Sequence, residues 1–142
     1  MVAEKMSVQK ERGFSFAANS LIKGELPEGQ WSWVDCSKAA KVAMLEVGPQ
    51  RYFLKFFLHR SVWEPMKALM KGSRCARAIK HGKVLVDAGF LSPAIVEHGR
   101  VYCPQQCRFV DWMVSEGVPG IGLGDYLSLF LRRPADGQTV RW

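Results

Sequence analysis

The chain is 142 residues long, 48% hydrophobic and carries a formal net charge of +7, enough for one domain or a piece of a larger one. It holds no run of about 18 apolar residues, which excludes a membrane-spanning helix. Met1 to Gln9 mixes charged and polar residues without an apolar segment, so it is not a signal peptide; a cytoplasmic chain with Cys36, Cys75, Cys103 and Cys107 as free thiols is expected.

Residues 1–12 are a charged lead-in, and Gly13-Phe14-Ser15-Phe16-Ala17 alternates as a short strand does. Lys23 to Gln30 is turn chemistry, with two glycines and a proline. Trp31 to Asp35, Lys41 to Val47 and Arg51 to Leu58 then read as three strands, with Cys36 to Ala40 and Gly48-Pro49-Gln50 as their links. Such short links imply an antiparallel meander. The expected divisions are 1–30 as lead-in, 31–118 as the folded lobe, and 119–142 as a linking helix and tail.

From Ser61 the pattern turns helical. Trp63 to Met70 reads as a short helix ending near Gly72, and Ser73 as the N-cap of a second one. In that second helix Cys75, Ile79, Gly82 and Val86 share one face, and Arg74, Arg77 and His81 another. Gly89 suits its C-terminal end. Ala94 to Glu97 and Val101 to Tyr102 read as a hairpin around His98-Gly99-Arg100. Arg108 to Ser115 is a further strand, with Val110, Trp112 and Val114 on one side and Phe109, Asp111 and Met113 on the other. Glu116 to Gly124 is a linker, and Asp125 caps a helix from Tyr126 to Arg133 that Pro134 stops. The expected fold is α+β: an antiparallel sheet of about five strands with one helix packed on it.

Charge is concentrated. Eight cationic residues lie from Lys55 to Lys83 against Glu64 alone, so this segment carries the whole +7. A basic segment of this density suggests an anionic partner, although a solvated helix face has the same composition. Within the apolar run Tyr52 to Phe57, Lys55 either lies on a solvent face or is aimed at an anion, because burying an unpaired ammonium is costly. A zinc site at Cys103, Cys107 and His98 lacks a fourth ligand, and Gly120, Gly122 and Gly124 lack the spacing of a dinucleotide loop. The helix from Ser73 and the hairpin after it have the outline of a recognition helix and wing. The aromatic residues sit in apolar strands, however, which disfavours nucleic acid as a partner.

Four stretches carry a more specific signal: Tyr52-Phe53-Leu54-Lys55-Phe56, Gly72-Ser73-Arg74-Cys75-Ala76-Arg77-Ala78, Leu85 to Pro93, and Met113-Val114-Ser115-Glu116. In this order they resemble the amino-terminal lobe of the bacterial lipopolysaccharide core kinases, the Kdo and heptose kinase family with a protein-kinase-like fold. The resemblance implies ATP as cofactor, with Lys55 on its phosphates. It implies Ser37 and Lys38 in a loop covering them, Glu116 to Val118 as a hinge for the adenine edge, and Asp125 near the ribose. Lys71, Arg74 and Arg77 would face a core sugar or the anionic inner-membrane surface, which implies peripheral attachment there. The family's helix glutamate has no counterpart between Ser73 and Val86, where Glu64 or Asp87 would have to substitute. The catalytic loop and the magnesium carboxylates do not fit within Pro134 to Trp142, so a catalytically incomplete lobe is expected, lacking its second lobe or self-associating. A non-catalytic docking domain is the alternative.

Overall fold

In a computed structural model, residues 13–27, 29–120 and 127–128 are described. A helix over 13–22 (α1) precedes three strands: β1 (Gln30–Cys36), β2 (Ala40–Val47) and β3 (Gln50–Phe57). Two helices follow, α2 (Glu64–Lys71) and α3 (Arg74–Asp87), and then β4 (Ile95–Cys103) and β5 (Arg108–Glu116). All pairings in the five-stranded sheet are antiparallel and its order is β1-β2-β3-β5-β4. The chain is therefore α+β. β5 is inserted between β3 and β4, and the α2–α3 segment makes the crossover from β3 to the sheet's far edge.

The core lies on one face of this sheet. Ala43 and Leu45, Leu54 and Phe56, Val101 and Cys103, and Val110, Trp112 and Val114 all point to it and are buried. Each set alternates along its strand, as a pleated sheet with one covered face requires. Ala17, Ala18, Leu21 and Ile22 of α1 close that face, with Phe14 and Tyr52 packed at its margin. These positions recur at helical spacing, so the alternation of Phe14 and Phe16 that suggested a strand is overridden by a helical stripe running on to Ile22. The Glu97 carboxylate accepts the Phe14 N–H at 2.9 Å, tying the start of α1 to β4. Residues 13–22 thus belong to the same core as the sheet.

The expected turn at His98-Gly99-Arg100 is not formed, because β4 runs straight through it. The reversal comes at 104–107, where Cys107 has φ 50°. Gly99 is in the strand for a packing reason. It lies opposite Trp112, and a Cβ there would meet the indole at 3.0 Å. The glycine marks a close approach within a strand, not a bend.

The helices between β3 and β4 follow the sequence more closely. Ser73 caps α3, its hydroxyl accepting the Ala76 N–H at 3.1 Å. Cys75 is the only buried residue of α3, and α2 has none. Ile79 and Gly82 are half-buried on the Cys75 side, whereas Val86 is exposed. The helices therefore cover the second face of the sheet only thinly. No helix among the described residues is long and apolar enough to cross a membrane.

Candidate functional site

The second face of the sheet carries the candidate site. Leu54 and Phe56 point toward α1, so Phe53, Lys55 and Phe57 point the other way. Lys55 is flanked by Val42 of β2 and Met113 of β5. Its Nζ lies 5.3 Å from the centroid of the Phe57 ring, and the Arg74 guanidinium lies 5.8 Å from the same ring. Two cations thus share one aromatic residue, and α3 is placed over the face on which Lys55 stands. Among the described residues Lys55 forms no ion pair. Glu64 does not substitute for a helix glutamate. Its carboxylate accepts the Arg60 N–H and lies 3.6 Å from Arg74 Nε and 3.8 Å from His59 Nδ1. Asp87 is exposed at the end of α3.

The strand order brings the end of β5 to the start of β3. Phe53 pairs with Ser115 and Tyr52 with Glu116, so the segment leaving β5 runs alongside Arg51 and Tyr52, while the Lys55 amine leans the other way, onto Phe57. The Gly117 N–H donates to the Arg51 carbonyl at 2.6 Å, and the Glu116 N–H to the Ala94 carbonyl at 2.9 Å. Gly117 lies so close to β3 that a Cβ would meet Arg51 Cβ at 3.0 Å and the Phe53 ring at 3.1 Å. Glu116 and Val118 are exposed. Asp125 lies outside the described residues, as does most of the helix expected over 126–133.

Ser37 and Lys38 are in the β1–β2 turn. The Ser37 hydroxyl accepts the N–H groups of Ala39 and Ala40, at 3.3 and 3.1 Å. These are the donors that a phosphate-covering turn would present, and here they are spent within the turn. Lys38 is exposed. Arg74 holds the turn from below: one guanidinium nitrogen donates to the Ala39 carbonyl at 2.7 Å and to the Leu58 carbonyl. Arg74 is therefore a clamp joining the start of α3, the turn and the end of β3. It differs in this from Lys71 and Arg77, which are exposed.

A groove of about 1070 Å³ opens between α2, the start of α3 and the ends of β4 and β5. Phe57, Arg74 and Asp111 form part of its wall, and Arg60, Lys67, Lys71, Arg77, Arg100 and Arg108 line it. Both acids at this groove are engaged: Glu64 as described, and Asp111 with Arg100 Nε at 2.9 Å. The groove therefore has a net positive lining with no free carboxylate. Its sequence signal was the basic segment itself. Arg100 and Arg108 come from the far hairpin, which only the tertiary fold brings in. Nearby, Cys75 Sγ lies 3.8 Å from the Trp112 carbonyl, and burial, with the Asp111 carboxylate adding to it, pushes its thiol up to about 11. Among the described residues no three His, Cys, Asp or Glu side chains converge as metal ligands.

No family model, curated protein or solved structure matches this chain.

Proposed function

We propose that this chain is the nucleotide-binding, amino-terminal part of a sugar kinase of the lipopolysaccharide core kinase kind. Its part in the reaction is to hold ATP phosphates through Lys55, while the base and magnesium carboxylates that phosphoryl transfer needs would come from a second lobe. The observation that carries this reading is the placement of Lys55. It stands on the α3 side of the sheet, opposite Met113 of β5, on the strand whose first residues the segment 116–118 passes. An ammonium on a rigid strand, with no carboxylate partner among the described residues, suits a polyphosphate.

Ser37 contributes as the organiser of the β1–β2 turn, since its hydroxyl is occupied by that turn's own N–H groups. Arg74 acts on the turn and not on an acceptor. Adenine contact is assigned to the exposed backbone around Val118. A core sugar as acceptor rests on the motif resemblance alone.

The test is nucleotide-directed acylation of the intact chain. An acyl-phosphate derivative of ATP is expected to modify Lys55 ahead of Lys38, Lys41 and Lys67, with free ATP protecting it and Lys55→Met abolishing the protected signal. Labelling spread over the surface lysines and indifferent to ATP would refute the proposal.

A further inference from the structure

We infer that α2 and the basic groove beside it form a docking surface for an anionic phospholipid bilayer. This inference does not rest on the nucleotide reading: it uses none of the residues assigned to nucleotide, although its groove lies on the same side of the sheet as Lys55 and has Phe57 and Arg74 in its wall. It begins with a helix that buries nothing. Glu64, Pro65 and Ala68 of α2 face the protein and are half-buried, while Trp63 before it and Met66, Leu69 and Met70 within it face outward. Those four are 64%, 59%, 88% and 88% exposed. At 100° per residue they cover about a third of the helix circumference as one unbroken apolar arc. Val62, 78% exposed, extends it at the amino-terminal end.

The charges around the arc decide what covers it. Lys67 and Lys71 border it on one side, and both also line the groove, as does Leu69. Arg60, Arg77 and Arg108 complete a cationic wall next to the apolar strip. The only acid of α2, Glu64, is turned inward and held by Arg74. The outward surface is thus apolar and cationic, with no exposed acid on α2. Nucleic acid needs the cations but not a strip of methionine and leucine. A second copy of this surface would set cation against cation. An anionic bilayer satisfies both halves: indole, thioether and leucine side chains enter the headgroup boundary, and the groove cations meet the lipid phosphates.

The experiment is co-sedimentation of the full chain with vesicles containing about one-third phosphatidylglycerol in phosphatidylcholine, with pure phosphatidylcholine as control. Wild type is expected to partition to the anionic vesicles and not to the neutral ones. The double variant Leu69→Ser/Met70→Ser, which alters only exposed side chains, is expected to weaken partition by at least about tenfold, and Lys67→Glu/Lys71→Glu by a similar or larger factor. Brominated lipid should quench wild-type tryptophan emission more than that of Trp63→Phe. Circular dichroism of each variant establishes that it is folded. Failure of wild type to bind overturns the inference. So does binding that Leu69→Ser/Met70→Ser leaves unchanged, because that is surface adsorption by charge alone. A concentration-dependent dimer that Leu69→Ser/Met70→Ser disperses, without vesicle binding, would assign the face to self-association and overturn it equally.

Discussion

Two side chains at the start of α3 show how differently neighbouring residues are used. Arg74 spends its guanidinium on carbonyls, so a residue that its charge marked as a ligand contact is a structural clamp. Cys75, the next residue, is the one α3 side chain buried against the sheet, and its neutral thiol is what the site accepts. Burial chiefly, and Asp111 secondarily, raise its pKa from 9.0 to about 11. The thiolate is thus disfavoured in the folded chain relative to the unfolded one. Between those two values the unfolded chain gives up the proton and the folded chain keeps it, so stability is lost as pH rises. Below pH 9 the contribution is complete. Denaturant midpoints followed from pH 8 to 11 should therefore fall more steeply for wild type than for Cys75→Ala; parallel curves would mean that the thiol is not held neutral by the fold. Ellman's reagent should react first with the exposed Cys36 and Cys107.

At the scale of elements, the segment ahead of β1 carries the heaviest load. Ala17, Ala18, Leu21 and Ile22 supply the only cover described over the packed face of the sheet. A chain begun at Trp31, where composition suggests that the folded part starts, should lose cooperative unfolding. In the intact chain Leu21→Ala should cost about 2–5 kcal/mol in urea denaturation, the range for deleting a buried leucine side chain. An unchanged midpoint would show that α1 is not part of the core. The sequence made β1, β2, β3 and β5 legible because their alternation is long and their turns are short. α3 was legible through Ser73 and Gly89. Two elements were misread because a local signal has more than one cause. Phe14 and Phe16 alternate within what is a helical stripe, and Gly99 marks an indole lying over a strand instead of a turn. Lys55 was legible as an unusual residue, but its direction was not. That depends on which face α1 covers, and α1 was the element read as a strand. The groove was half legible: its α2 and α3 cations lie in one basic run, while Arg100 and Arg108 arrive through β5 being inserted between β3 and β4.

For the whole molecule the governing fact is the asymmetry of the sheet. One face is sealed by α1 and holds nearly all of the buried side chains. The other carries Lys55, Phe57 and Met113, half-buried, under an α3 that contributes one buried residue and an α2 that contributes none. Local opening follows the number of buried contacts that must be broken, so the two faces should differ in how often they open. Amide hydrogen exchange read by mass spectrometry should find β2, β3 and β5 exchanging at rates set by global unfolding. Peptides covering α2 should exchange orders of magnitude faster, and those covering α3 at an intermediate rate, slowest near Cys75. Equal protection of α2 and β3 would show that α2 is packed in solution by something that covers its apolar arc. Anionic vesicles discriminate further, since added vesicles should slow exchange in α2 while leaving β3 unchanged. ATP acting through Lys55 should instead slow the β1–β2 turn and the segment after Ser115. The same measurement thus separates the two surfaces: one opens toward phosphates on the sheet, the other toward phosphates on a bilayer.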